Sequence, residues 1–193
     1  MNAEKGTGPQ IAKKYGVKGY PAILFLDNAG KKVYEIGGYA PPADFLGKME
    51  LALLVQELPK LEAKPQKDAE TLCKLAQIYA GQNEFAKADA SLSALLKSDP
   101  GNASGKVAIA CNAVADMYQT AEKFGKAIPL FEMAAAKGKT GQERAYALMS
   151  IGVCYMSQGD KAGARKYFEK TLALPDCPAE EKSQTKQMLG SLK

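Results

Sequence analysis

The sequence contains no histidine, no tryptophan and no Cys-x-x-Cys motif among its 193 residues. Its four cysteines, Cys73, Cys111, Cys154 and Cys177, lie 38, 43 and 23 residues apart, which is not the spacing of a metal site. Without histidine, neither a Cys/His zinc site nor a cysteine–histidine nucleophile is available. We therefore predict no catalytic residue, no metal and no cofactor, and we assign the cysteines within helices to packing.

Long apolar runs and basic stripes are also missing. No run of eighteen apolar residues occurs, so we expect no membrane span, and residues 1–10 lack the apolar stretch of a signal peptide. The net charge of +5 is spread along the chain without interleaved aromatic residues, so we expect no nucleic-acid partner. The compartment stays open: cytoplasmic for a native chain, periplasmic or exported for part of a longer precursor.

The first 58 residues carry a helix, a hairpin and a second helix. Residues 11–26 read as a helix, the sequence Lys-Gly-Tyr-Pro and an apolar strand; a turn at 27–32, a strand at 33–39 and a helix at about 42–58 follow. This order resembles the second half of a thioredoxin. The resemblance implies a cis bond between Tyr20 and Pro21 beside a substrate groove, and it places the family's Cys-x-x-Cys upstream of the matched residues.

Beyond two prolines, Pro59 and Pro65, which we expect to interrupt the helical pattern, one spacing template occurs three times. Its small and large apolar positions suit two helices packed face to face, and Gly81, Gly125 and Gly159 fall in or near the turns between them. The three copies are Leu72, Leu75, Ala76, Tyr79, Ala88 and Leu92; Cys111, Val114, Ala115, Tyr118, Ala127 and Phe131; and Leu148, Ile151, Gly152, Tyr155, Ala164 and Phe168.

This template resembles the tetratricopeptide repeat. We therefore predict a mostly α-helical chain: a partial thioredoxin-like α/β segment with a two-stranded antiparallel hairpin, followed by a superhelix of three repeats. The predicted boundaries are residues 1–58 for the segment, 59–67 for a linker and 68–193 for the repeat domain. Within that domain we place repeats at about 69–102, 108–141 and 145–178, and a capping helix at 179–193.

In tetratricopeptide proteins the first helix of each pair lines a concave groove, so the resemblance implies a groove for a protein or peptide partner. The positions beside the packing face carry no lysine or arginine, so we expect no clamp for a peptide carboxylate. In the third repeat they are apolar and suit either an apolar peptide or burial under the C-terminal helix. The predicted groove residues are Cys73, Gln77, Asn112, Asp116, Tyr146, Met149, Val153 and Met156.

We interpret the chain as a non-catalytic protein-interaction module. The alternative is the C-terminal part of a thiol–disulfide oxidoreductase, and a Cys-x-x-Cys encoded upstream would favour it. The strand from Ala22 to Asp27 is apolar on both faces, which suits the interior of a sheet. With a neighbour on one side alone, its free edge predicts either a homodimer or cover by a helix or by the repeats.

Overall fold

The structure is a computed structural model that describes residues 5–38 and 42–192. It divides into two compact units, residues 1–62 and 63–193. The first unit contains α1 (Gly8–Tyr15), β1 (Ala22–Leu26), β2 (Lys32–Gly37) and α2 (Pro42–Glu62). The predicted end of the second strand, Tyr39, lies outside the described residues.

The hairpin forms because a short turn closes two apolar strands. β1 and β2 are antiparallel, with Ala22 opposite Gly37. In the turn, Asp27 Oδ1 accepts from the backbone N–H groups of Ala29 and Lys31 at 2.9 and 2.8 Å, the local bonding that makes aspartate a turn residue. The Tyr15 hydroxyl at the end of α1 donates to the Gly30 carbonyl at 2.9 Å, which ties the helix to the hairpin.

This first unit buries little of its apolar surface. Within β1 and β2, Ile36 alone is fully buried, and β1 has no buried residue. α2 packs on β2, and the other edge of β1 has no strand partner among the described residues. Several large apolar side chains are exposed: Tyr20, Ile23, Leu26, Leu46, Met49 and Leu53.

The predicted end of α2 near Leu58 is wrong, because the helix passes through Pro59 and ends at Glu62. A proline in a helix removes one backbone hydrogen bond and crowds the preceding turn. Pro59 lies in the last turn, where few residues depend on that bond, and Leu61 beyond it is buried. Burial of one apolar side chain stabilises a helix end by about 1.5–3 kcal/mol, enough to offset part of the cost.

The second unit consists of three helix pairs and a final helix. Its elements are α3 (Ala69–Gly81), α4 (Phe85–Ser98), α5 (Lys106–Thr120), α6 (Phe124–Lys137), α7 (Gly141–Ser157), α8 (Lys161–Leu172) and α9 (Ala179–Ser191). The two helices of each pair pack against each other. The first helices of successive pairs are also in contact, α3 with α5 and α5 with α7. Asp68 caps α3 by accepting from the Thr71 N–H at 2.8 Å, a common helix start.

The core of this unit is formed by the residues of the predicted spacing template. Every template position is buried except Leu148 and Tyr155, which are half-buried. A Cβ on Gly152 would overlap the Phe168 ring, so the glycine allows α7 and α8 to approach closely. None of the helices in the described ranges has the length and apolarity needed to cross a membrane.

Candidate functional site: a polar cleft along the first helices of the repeats

An open cleft of about 430 Å³ runs along the repeats, within the usual volume range of ligand pockets. First helices of all three pairs contribute to it. Its lining residues are Gln77, Ile109, Asn112, Ala113, Asp116, Thr140, Gln142, Glu143 and Tyr146. Four of the eight predicted groove residues, Gln77, Asn112, Asp116 and Tyr146, are therefore brought together.

Asp116 is the most perturbed acid of the cleft. Its Oδ1 atom accepts a hydrogen bond of 2.8 Å from the Tyr146 hydroxyl, which connects α5 to α7. Burial raises the pKa of Asp116 to about 7, although the bond from Tyr146 acts in the opposite direction. Near neutral pH this side chain therefore exchanges between a carboxyl and a carboxylate.

Asn112, one turn earlier on α5, has an unsatisfied side chain. Its Nδ2 atom donates to the Glu143 carbonyl across a long 3.4 Å, whereas its Oδ1 atom is buried and has no donor among the described residues. A buried acceptor without a donor costs about 1–3 kcal/mol.

The charged residues of the cleft are acidic. Asp116 and Glu143 line it, and no lysine or arginine in the described part of the chain does, although the whole chain has a net charge of +5. Glu143 is fixed at the start of α7, where its Oε2 atom accepts from the Lys139 N–H at 2.8 Å and its own N–H donates to Thr140 Oγ1 at 3.2 Å. This arrangement resembles a capping box.

Sequence reasoning missed the rest of the lining. Ile109 and Ala113 lie three residues before and one residue after Asn112, on the same helix face as Asp116, so helical spacing could have identified them. Thr140, Gln142 and Glu143 begin α7. No spacing signal points to them, because their place in the cleft depends on how α7 packs on α5.

The other predicted groove residues lie elsewhere. Cys73 is 3% exposed and donates through Sγ to Gln77 Oε1 at 3.7 Å, because α3 and α5 pack closely together. Its prediction as a groove residue is therefore wrong. Val153 lines a smaller cleft of about 320 Å³ that also includes Gln119 and Phe124.

Met149 and Met156 belong to a hydrophobic cluster with the last helix. Met149 and Phe168 pack with Leu192, and Val153 and Met156 pack on this cluster together with Met188 and Leu189 of α9. Of the two alternatives for the apolar positions of α7, burial against the C-terminal helix is observed for Met149. For Tyr146, which lies outside this cluster, and for the partly exposed Val153 and Met156, a role in peptide binding stays a prediction.

In the first unit, the peptide bond between Tyr20 and Pro21 is cis. Both residues are exposed, and Tyr20 is 59% accessible. Gly38 donates its N–H to the Pro21 carbonyl at 2.7 Å, which joins this turn to the end of β2. A role for the pair in a substrate groove stays a prediction.

The cysteines have the character of packing residues. All four are free and buried. Burial raises the pKa of Cys73 and of Cys154 to about 11, and that of Cys111 to about 12; it also raises the pKa of Cys177. Thiolates are therefore scarce at neutral pH. Within the described ranges, cysteine and acidic side chains nowhere gather in threes as a metal site.

Family models match both parts of the chain. A thioredoxin-like domain model matches residues 3–53, and tetratricopeptide repeat models match residues 69–102 and 115–179. The chain joins a thioredoxin-like segment to tetratricopeptide repeats. Both resemblances predicted from the sequence, and the mostly helical fold with its two-stranded sheet, are confirmed.

Solved structures of tetratricopeptide-like proteins share this fold. The N-terminal domain of stress-induced protein-1 (STI-1) from C. elegans has a TM-score of 0.52 and 22% identity, covering 62% of this chain and 93% of that one. BtubC (BKLC) from P. vanneervenii has a TM-score of 0.54 and 23% identity, covering 77% of this chain and 65% of that one. At such identities the likeness concerns the fold alone. No curated protein matches the chain.

Proposed function

We propose that this chain is a non-catalytic scaffold whose repeat unit binds a peptide segment of another protein in the cleft along α3, α5 and α7. Tetratricopeptide repeats imply protein partners. The observation that carries the proposal is the open cleft of about 430 Å³ to which the first helices of all three pairs contribute side chains. Extended peptides present backbone N–H and C=O groups that the polar side chains of such a lining can bind.

A protein suits this cleft better than a nucleic acid. The charged lining residues, Asp116 and Glu143, are both acidic, and they would repel phosphate groups. Nucleic-acid sites need clustered basic side chains instead. The proposal is therefore restricted to protein partners.

The peptide proposal is tested by selection and mapping. Peptides selected on the purified chain from a random library should shift the backbone amide signals of α3, α5 and α7 in an NMR titration. Asn112→Ala should weaken binding severalfold, since it removes a polar side chain that lines the cleft. Gln187→Ala on the exposed side of α9 is the matched control and should bind normally. Shifts confined to other helices would refute the proposal.

The non-catalytic part of the proposal rests on the thiols. Disulfide exchange needs a thiolate that attacks and a second thiol nearby that resolves the mixed disulfide, whereas here all four thiols are buried. We expect insulin reduction at the rate of dithiothreitol alone. Faster turnover that is lost on mutating any one cysteine would contradict this part.

The second candidate is a part of a thiol–disulfide oxidoreductase. The thioredoxin-like family match to residues 3–53 and the exposed apolar side chains of the first unit favour it. A coding sequence for Cys-x-x-Cys some distance upstream, and insulin reduction by the product that includes it, would support this candidate. Failure of that longer product to reduce insulin would leave the scaffold proposal.

We also propose that two copies associate through the free edge of β1. No described strand pairs with that edge, and Ile23 and Leu26 of the same strand are exposed. An unpaired strand edge is a template for another strand. Light scattering should find a dimer that Leu24→Lys converts into a soluble monomer. A native chain that is already monomeric would contradict edge pairing.

A further inference from the structure

We propose that the exposed side of α8 binds an acidic segment of a partner protein. The residues that carry this binding are Lys161, Arg165, Lys166 and Lys170, which we call the basic face of α8. None of the four lines the cleft along α3, α5 and α7, so this inference goes beyond the proposed function and does not depend on it. Three observations support it: where the bases lie on the helix, how little negative charge faces them, and what the helix lacks for other ligands.

The basic face lies on the side of α8 that points away from the core, and all four of its residues are exposed. The helix packs on the rest of its unit through the opposite side, which consists of Ala164, Tyr167, Phe168 and Thr171. Against these bases α8 has a single acid, Glu169, whereas α4 and α6 each have two lysines and one acid. α8 is therefore the most basic helix of the repeat unit.

The basic face receives little charge compensation from its own helix. The side chains of Arg165 and Lys166 form no ion pair with any residue that the structure describes, and neither does Glu169. Lys166 and Lys170 are four residues apart, a spacing at which like charges destabilise a helix. An acidic side chain bound beside them would relieve this repulsion.

Other groups around the face are engaged in bonds of their own. Asp160 Oδ1 accepts from the Gly163 N–H at 2.9 Å and caps the helix. On α6, Glu132 accepts from the Tyr167 hydroxyl at 2.8 Å. The Lys170 Nζ atom lies 4.5 Å from the centroid of the Tyr167 ring, a contact that attracts the ammonium group without neutralising its charge. The positive charge of α8 is therefore left for a partner.

An acidic protein segment fits this face better than a nucleic acid or a membrane. Proteins that bind single-stranded nucleic acids stack the bases on open aromatic rings, but the Tyr167 ring is buried and stacks on Tyr155 at 5.5 Å between centroids. A helix that lies on a membrane presents large apolar side chains beside its bases, and none of the exposed large apolar side chains in the described ranges lies on α8. Aspartate and glutamate need neither feature, since they form charge-assisted hydrogen bonds with arginine and lysine.

The probe is the peptide Ac-Glu-Glu-Glu-Glu-Glu-Glu-amide, titrated into the full chain at low ionic strength and followed by NMR. Its matched control replaces every glutamate by glutamine, which keeps the size and removes the charge. We expect the glutamate peptide to shift the backbone amide signals of α8, and the glutamine peptide to leave them in place. Added salt should weaken the binding, because it screens charges that are open to solvent. Shifts confined to other helices, or equal binding of the two peptides, would overturn the proposal.

Matched variants separate this face from the net charge of the chain. Arg165→Gln combined with Lys166→Gln should weaken binding about five- to ten-fold, the loss of two ion pairs that are open to solvent. Glu169→Gln should tighten it, because it removes the one acid of the helix. The control combines Lys60→Gln with Lys97→Gln, two exposed lysines of α2 and α4, and should bind like the native chain.

The same titrations decide between partners. An equal loss of affinity in the control variant would show attraction to the overall charge and would overturn the assignment to α8. Tighter binding of a DNA oligonucleotide or of phosphatidylserine vesicles than of the glutamate peptide would overturn the choice of a protein partner. Binding of the glutamate peptide that depends on Arg165 and Lys166 would support both.

Discussion

The two units of this chain differ in how completely they bury their own apolar residues. In the repeat unit, side chains such as Phe131 and Phe168 are fully enclosed. In the first unit, Leu46 and Leu53 on α2 are 58% and 62% exposed, and β1 has no buried residue. The repeat unit is a set of helix pairs whose partners are adjacent in sequence, whereas a two-stranded sheet has too few strands to cover its faces.

This difference shows that a family resemblance is not the same as a self-sufficient fold. Three repeats with a cap bury a continuous core, as solenoids require. Half of an α/β domain keeps the sequence pattern of a sheet interior, but it lacks the layers that would enclose it. The apolar side chains of β1 are therefore typical of a strand inside a thioredoxin-like sheet, and they are unusual for a strand of an exposed hairpin.

The largest expected effect concerns independent folding, and it tests the predicted domain boundary at residues 59–67. A fragment of residues 63–193 keeps the Asp68 cap and the Lys64 Nζ bond to Thr71 Oγ1 at 2.8 Å. We expect it to retain its helical circular dichroism and to melt cooperatively, whereas residues 1–62 alone should not. If residues 63–193 are unfolded while the whole chain is folded, the two units depend on each other.

A pair of core and surface substitutions tests the difference in burial. Phe131→Ala should lower the free energy of unfolding of the repeat unit by about 3–5 kcal/mol, because it removes a fully buried ring and leaves a cavity. Leu53→Ala should change stability by less than about 0.5 kcal/mol, as expected for an exposed site. Urea denaturation measures both. A large loss from Leu53→Ala would show that α2 is covered by a partner in solution.

The repeat unit contains one group that works against its own stability. The pKa of Asp116 is about 7 in the folded state, above its ordinary value, so the folded state holds an extra proton between about pH 4 and 7. Stability therefore falls as the pH rises through that window, by up to about 4 kcal/mol for a carboxyl whose pKa is raised from its ordinary value to about 7. Asp116→Asn should remove this fall and make the protein more stable than the native chain at pH 8.

Other carboxylates provide the internal reference for this measurement. Hydrogen bonds that Asp99 accepts from Ser104 and Ala103 hold its pKa below the usual range, and the pKa values of Asp68 and Asp176 are lowered by bonds from Thr71 and Arg144. These groups stabilise the fold above their ordinary pKa, and that contribution is lost below about pH 4. Asp116→Asn should leave this loss of stability below about pH 4 unchanged. If Asp116→Asn also removes the loss of stability below about pH 4, the fall in stability between about pH 4 and 7 cannot be assigned to Asp116.

The smallest expected effect concerns the turns inside the helix pairs. The fourth residue after each template tyrosine has a positive φ: Asn83 at 58°, Glu122 at 57° and Gly159 at 78°. Glutamate is strained there, whereas glycine is not. Glu122→Gly should raise the stability of the repeat unit by about 0.5–1 kcal/mol in urea denaturation, while Gly159→Ala should lower it. A loss of stability from Glu122→Gly would contradict this account.

The sequence predicted those features that depend on spacing along one helix. The repeated template located the helix pairs and their core, since periodicity reports which side chains share a face. It did not identify the strained turn, because Asn83, Glu122 and Gly159 have no side-chain chemistry in common. The helix through Pro59 also departs from local rules, since burial beyond the proline overrides them.

The cleft was predictable only in outline. Gln77, Asn112, Asp116 and Tyr146 followed from helix faces, but the burial of Cys73 depends on how closely α3 and α5 approach. The raised pKa of Asp116 requires α7 to exclude water from α5, and no pattern within α5 reports that. Contacts between helices of different pairs therefore set the chemistry of the site.

The final helix has a consequence for competition. Because α9 is tethered through a short loop after α8, it is present at its surface on α7 at an effective concentration on the order of millimolar. A separate peptide that binds at Met149 and Met156 therefore competes with α9 for the same surface. A free peptide of equal intrinsic affinity, supplied at micromolar concentration, would occupy the surface about a thousandfold less often than α9. The tether thus reserves one end of the repeat array for the chain itself.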